Sequence, residues 1–293
     1  MKITHGRAVA LMVLVTFMWS IAGVVTRHLE AARTFEVTFW RSFFTAVSLL
    51  VILPVAQGRV VFRTIRHGRG AFWISGVCWA VMFTAFMVAL TLTSVANVLI
   101  TMAAGPFVTA LIARAAIGQR IARRTWCAIA VASAGIAWMY GNQLSMGSGS
   151  QLLGTVLAML VPLASACNWT VVQYSRMHGQ NIDLVPAVMV GAIMSSLVAL
   201  PLALPFSATA HDIGLLAVLG LFQLAIPCVL LILCARMLKA PEVALLALLE
   251  VIFGILLVWI GAGEAPGANV LTGGALVIGA LVVNELIGWR QKA

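Results

Sequence analysis

The sequence predicts an all-α polytopic membrane protein: ten transmembrane helices arranged as two inverted five-helix repeats, with both termini cytoplasmic. Three observations predict it. Apolar residues make up 62% of the 293-residue chain and charged residues only 9%, with a mean hydropathy of +1.08, whereas soluble domains carry roughly a quarter of charged residues. The basic residues gather in short clusters between apolar runs. Finally, the stretch 97–120 returns 145 residues later as 242–265, placing Thr109 on Gly254, Gly118 on Gly263, Gln119 on Glu264, Pro106 on Val251 and Gly105 on Glu250.

The spans follow from arithmetic, since a helix crosses about 30 Å of hydrocarbon in roughly 20 residues. Lys2 and Arg7 precede nineteen uncharged residues, 8–26. That run is longer than the roughly 7 to 15 apolar residues of a signal peptide, so it reads as a retained span 1 (8–27). Span 2 covers 36–57 and ends at Gln57-Gly58. Residues 70–113 contain no Asp, Glu, Lys or Arg; as one helix they would reach about 66 Å, so they fold back. A corner at 91–95 divides them into span 3 (71–91) and span 4 (95–115). The uncharged run 125–175 must also fold back. Gly141-Asn142 and the Gly/Ser-rich 147–150 supply the turn between spans 5 and 6 and the boundary between repeats 1–141 and 151–293. Spans 7 (184–204) and 8 (213–235) are separated by Pro201, Pro205 and His211-Asp212, and spans 9 (242–262) and 10 (269–288) by residues 263–267.

Charge sets the orientation. One side collects fifteen Lys and Arg residues, the other holds only Arg27 and Arg33, and Arg41 lies inside span 2. The positive-inside rule therefore places both termini in the cytoplasm. Five spans is an odd number, so the two halves cross in opposite senses, as in many transporters. The net charge of +10 is thereby topological, and no nucleic-acid partner is expected. The five cysteines lie in or beside apolar spans without C-x-x-C spacing and read as packing residues, neither metal ligands nor disulfides.

The residues resemble a known family, the EamA-type drug/metabolite transporters, and within it the YddG-like aromatic amino-acid exporters of bacterial inner membranes. The resemblance rests on Trp19-Ser20 in span 1, Arg41 opening the apolar run of span 2, the corner from Thr93 to Asn97, Pro106 within span 4, and the Gly-[Glu/Gln]-[Arg/Ala] endings at Gly118 and Gly263. The second copy has Leu249-Glu250-Val251 where the family commonly has Leu-Glu-Pro, which leaves no proline to break span 9. The resemblance implies a ten-helix basket, with spans 1–4 and 6–9 around a central cavity and spans 5 and 10 outside it. Small-residue spacing agrees for the outer pair: Ala128 and Ala132, Ala130 and Ala134, Ala275 and Gly279 suit close helix packing.

Ionisable groups inside a membrane are costly, so those retained are candidates for function. Glu250, deep in span 9, is a proton-coupling carboxylate, a partner for a substrate ammonium, or a structural acid. Arg41 is either an interfacial anchor that snorkels or a contact for a substrate carboxylate. Substrate-binding candidates pair aromatic faces with hydrogen-bonding groups, the mixture a small-molecule site needs. They are Trp19, Ser20, Trp79, Phe83, Asn168, Trp169 and Gln223, with Asn97 and Thr101 as candidates that equally suit capping or helix–helix bonds. Pro106 and Pro227 are hinge candidates, because each frees a backbone carbonyl. No cluster of intramembrane cations exists for phosphate groups, and no metal-ligand set, nucleotide-binding motif or cofactor motif is present. The expectation is a non-enzymatic, monomeric exporter of amino acids and related metabolites in the lipid bilayer. The competing reading, an integral membrane enzyme acting on a lipid-linked substrate, requires a catalytic pair at one interface.

Overall fold

The computed structural model describes residues 4–26, 28–93, 95–118, 121–141, 149–179, 183–263 and 267–290. The turn expected at 142–148 and the Gln119/Glu264 echo lie outside the described residues. Among the described residues the chain is all helical. In order it forms α1 (His5–Thr26), α2 (Thr34–Gln57), α3 (Val60–Arg66), α4 (Gly70–Leu92), α5 (Val95–Ala103), α6 (Gly105–Ile117), α7 (Arg123–Tyr140), α8 (Gly149–Met177) and α9 (Val185–Ala203). There follow α10 (Ala210–Val218), a π-helical segment (Leu219–Ala225), α11 (Ile226–Ala235), α12 (Ala240–Ala247), α13 (Leu249–Ala262) and α14 (Ala268–Arg290).

Eight of the helical stretches are long and apolar enough to cross a membrane. Two further rods stand apart from these eight. One is α7, 18 residues that open on Arg123 and Arg124; the other is α14, with a shorter apolar stretch at Ala268–Asn284. The short α3, built from the basic segment after span 2, was not anticipated, because its seven residues carry two arginines and no sustained apolar period.

Helix ends follow local chemistry. Thr209 caps α10 by accepting the Asp212 N–H at 3.1 Å, and the Asp212 carboxylate accepts the Thr209 N–H at 3.3 Å, a reciprocal box that satisfies first-turn donors. Gly118 and Gly263, equivalent in the 145-residue echo, both close their helices in the left-handed region, with φ of 63° and 70°. Only glycine adopts that conformation without strain.

The structure corrects spans 4 and 9, each expected as one helix. Span 4 breaks at Ala104, whose N–H reaches back three residues to the Thr101 carbonyl, and Pro106 starts the next helix where its missing N–H is harmless. Span 9 breaks at Leu248, at nearly the same place in the echo and without a proline: the Leu248 N–H bonds to the Leu245 carbonyl and the Val251 N–H to that of Leu248. A tightened turn of this kind needs no proline once packing holds both half-helices.

The packing has a pairwise regularity. Helix α4 packs on α8, and the π segment and α11 pack on α1; α5–α6 pack on α8, and α12–α13 on α1. Contacts of α2 with α9, α6 with α12 and α7 with α14 likewise run between the two chain halves. The outer pair meets at glycines: a Cβ on Gly273 would lie 2.5 Å from the Gly135 carbonyl oxygen, and one on Gly135 would lie 2.8 Å from that of Gly273. The expected α14 pair, Ala275 and Gly279, is exposed instead. Small residues recur on two faces of α14, and the face carrying Gly273, Val277 and Leu281 is the one packed on α7.

Candidate functional site

The predicted site residues divide into three groups. The first gathers at mid-length on α1, α2, the π segment, α11 and α13. Gly220 allows the π segment to lie against α2: a Cβ there would sit 2.6 Å from Phe44 Cβ and 3.0 Å from the Arg41 carbonyl oxygen. Thr45 ties the two elements by donating to the carbonyls of both Arg41 (2.7 Å) and Gly220 (3.1 Å). The seam sets Arg41 beside the rod carrying Gln223 and Cys228. Gln223 donates to the Trp19 carbonyl at 3.4 Å, and the Trp19 indole N–H is buried, facing the Cys228 thiol with no acceptor in hydrogen-bonding geometry.

Arg41 is buried, with 5% of its surface exposed, and its Nε has no acceptor. It does not snorkel. Glu250, in the first turn of α13 and half-buried, lies within electrostatic reach of both Arg41 and Cys228. Among the described residues neither charge closes an ion pair. A buried cation and a carboxylate that attract without pairing each carry a desolvation penalty.

The second group joins α4 to α8. Ser75 donates to Asn168 Oδ1 at 2.7 Å, and both side chains are fully buried. The Trp79 ring meets Trp169 edge to face at 5.6 Å and Phe83 at 5.4 Å. With exposures of 2%, 4% and 5%, these three rings belong to the main hydrophobic core, so their contacts are packing. Asn168 Nδ2 and the Trp79 indole N–H are buried without acceptors. Ser75 and Asn168 tie α4 to α8, and the Gln223 bond to the Trp19 carbonyl ties the π segment to α1. Only the first group carries charge.

The third group is local. Asn97 donates to Thr93 Oγ1 at 2.7 Å and Thr101 to the Asn97 carbonyl at 2.7 Å, tying the start of α5. Ser20 donates to the Phe17 carbonyl of its own helix at 2.6 Å. Gln173, near the C-terminal end of α8, accepts the Ala240 N–H at 2.9 Å and belongs to the end of the molecule where α12 begins. Of the hinge candidates, Pro106 sits at the α5–α6 break, and Pro227 follows the π segment, whose last turn is closed by the Ile226 N–H to the Leu221 carbonyl.

Two participants escaped sequence reading. Cys228 had been grouped with packing cysteines, and only the fold turns it toward Arg41, Glu250 and Trp19. Ser195, on the axis contact of α2 with α9, is 3.1 Å from the Ser42 hydroxyl and accepts from Thr84 at 2.9 Å. Ser195-Ser196 in an otherwise apolar helix was the available signal. Ser195→Ala should weaken this three-helix junction by about 1 kcal/mol, read as a fall of a few degrees in thermal unfolding in detergent; an unchanged midpoint would leave the junction without energetic weight.

A groove between α1, α12–α13 and α14 is lined by Val9, Val13, Leu246, Leu249, Ile278, Leu281, Val282 and Leu286. It holds none of the predicted residues.

No curated protein sequence matches the chain. A solved structure described only as a protein crystal structure matches with a TM-score of 0.80, covering 98% of this chain and 99% of its own at 14% identity. At that identity the likeness establishes the shared fold. Residues 6–141 match the EamA-like transporter family, and the first half of the chain therefore holds an EamA-like transporter domain.

Proposed function

We propose that the chain is a ten-span secondary transporter of the bacterial inner membrane, with cytoplasmic termini, that exports amino acids, aromatic and other neutral ones, and related small metabolites by alternating access, as the resemblance to YddG-like exporters implies. In this reading α7 and α14 are the fifth and tenth spans, and 1–141 and 151–293 are inverted repeats. The paired contacts of α4 with α8 and of the π segment and α11 with α1 support that division. Spans related in this way exchange conformations and expose one site to alternate faces.

One observation carries the substrate class. Arg41 and Glu250 present opposite charges from α2 and α13 without closing an ion pair. An α-amino acid is a zwitterion whose carboxylate suits a guanidinium and whose ammonium suits a carboxylate, so one ligand offsets both buried charges. The Trp19 face and Gln223 add the apolar wall and neutral polar group that fix orientation. Glu250 is in addition the candidate proton carrier.

The test is counterflow. Purified protein in liposomes preloaded with unlabelled amino acid should accumulate the labelled form, with aromatic and large neutral amino acids ahead of the corresponding amines and keto acids, which each lack one charge. Absence of counterflow with all twenty amino acids would sink the reading.

A further inference from the structure

At the end of the molecule where α1 turns into α2 and α9 into α10, two buried carboxylates hold each other's loops. Asp212, at the start of α10, accepts the N–H groups of Glu30 (2.8 Å), Ala31 (3.0 Å) and Ala32 (2.9 Å) from the α1–α2 loop. Glu36, at the start of α2, accepts the Ser207 N–H (2.5 Å), the Ser207 hydroxyl (2.5 Å) and the Ala208 N–H (3.1 Å) from the α9–α10 loop. Each carboxylate also accepts an N–H from its own loop, Thr209 for Asp212 and Arg33 for Glu36. Both acids are 0% exposed. Arg33 reinforces the exchange by donating to the carbonyls of Ala203 (3.0 Å) and Pro205, and the Ser207 hydroxyl also bonds the Ala31 carbonyl at 3.1 Å.

We propose that this reciprocal carboxylate latch is the gate closing that end of the transport path, an inference that rests on the chain being an alternating-access transporter. Three features support a gate over a fixed brace. First, Asp212 is held entirely by main-chain N–H groups of surface loops, bonds that water replaces when the loops part, so opening strands no charge in hydrocarbon. Second, the apolar layer beneath is thin, made of Val37, Met87, Leu216 and Leu219 with Trp40 and Phe86 against them. The opposite end is sealed by the main core, including Leu49, Leu53, Val188, Leu231 and Leu238. Third, each latch acid shares a rod with charged-site residues: Glu36 with Arg41 on α2, and Asp212 with Gln223 and Cys228 along α10, the π segment and α11. The π segment between Asp212 and Cys228 is the kind of irregular turn that absorbs bending. Ligand drawn between Arg41 and Glu250 therefore pulls on the helices that carry the latch.

Charge asymmetry puts this end outside, since Arg33 is one of only two basic residues assigned to that face. The latch closes when the path faces the cytoplasm and opens to release substrate outward.

The experiment uses the full chain with Cys78, Cys127, Cys167 and Cys234 replaced by serine, the buried Cys228 kept, and the pair Ala31→Cys and Ser207→Cys introduced. Oxidation should slow counterflow at least about tenfold and reductant should restore it; a cross-linked protein that transports as fast as the reduced sample overturns the gate. A second measurement needs no substrate. Spin labels on the same two positions should report a short distance with a minor longer population, and Glu36→Gln with Asp212→Asn should make the longer one dominant. A single short distance unmoved by those substitutions, in protein that keeps its elution profile, also overturns the proposal. Should no amino acid move in either redox state, the amino-acid reading fails and the distance measurement alone decides the latch.

Discussion

A Glu250→Gln variant in liposomes is expected to lose the component of amino-acid flux driven by an imposed pH gradient and to bind zwitterionic substrates at least tenfold more weakly. Among the described residues Glu250 is the one carboxylate within electrostatic reach of Arg41. Glutamine keeps the shape and removes both the proton site and the negative charge. A lost charge-assisted contact worth about 1.4 kcal/mol already gives tenfold. The informative comparison is with an anionic analogue: a keto acid, which lacks the ammonium group, should be little affected by the change, because it never met the carboxylate. Glu242→Gln is the matched control, since Glu242 lies at the end of the molecule with His5 at 3.1 Å and faces no candidate site residue. A pH-driven component that survives in Glu250→Gln would remove the proton role from this residue, and an unchanged affinity would remove the ammonium role. Arg41→Gln should mirror the result, weakening amino acids and keto acids while sparing amines.

The second large effect is structural. Gly191→Ala should abolish most folded protein, because α9 crosses α4 with no space for a methyl group. A Cβ on Gly191 would lie 2.4 Å from Trp79 Cβ, 2.8 Å from the Gly76 carbonyl oxygen and 3.1 Å from the Ala80 nitrogen. These are backbone and near-backbone atoms that no rotamer change can move, so the helices must separate, at a cost of about 1–3 kcal/mol or more. The same separation would disturb the Trp79–Trp169 contact and the Thr84–Ser195 bond. Gly254→Ala is the control, since its Cβ meets nothing within 4 Å. The expected readout is a lower detergent-extracted monodisperse yield and a depressed unfolding midpoint for Gly191→Ala alone; equal midpoints would show that the α4–α9 crossing relaxes freely.

What could be read in advance, and what could not, separates along a physical line. The corner at 91–95 and the beginnings of α8, α9 and α10 were legible because a membrane helix satisfies its own backbone and must be about 20 apolar residues long, so length and polarity suffice. The glycine helix ends at 118 and 263 were legible as an echo, and the structure adds the left-handed turn that explains them. The break at Leu248 was not legible, because its cause is packing around two half-helices and no proline marks it. Trp79 and Phe83 were readable as one face of a helix but not as core. The helix α4 is apolar on all sides, so its sequence does not say which face meets α8 and α9.

The candidate site shows the same division. By itself the amino-acid sequence determined that the chain lives in a membrane, roughly where most of its apolar spans lie, that its basic residues gather in a few short clusters, and that Arg41 and Glu250 are the costly charges worth explaining. Each of those follows from properties of single segments. Only the tertiary structure decided that Arg41, Glu250, Cys228 and Trp19 lie within reach of one another, and that the Asn168 group is neutral and packed into the core. It alone showed that Glu36 and Asp212 hold each other's loops. Those facts depend on how each helix is rotated about its axis and which neighbour it meets, and in a chain apolar on nearly every face that rotation is set by glycine-sized gaps and a few buried hydrogen bonds, which act between segments and leave no period in any one of them.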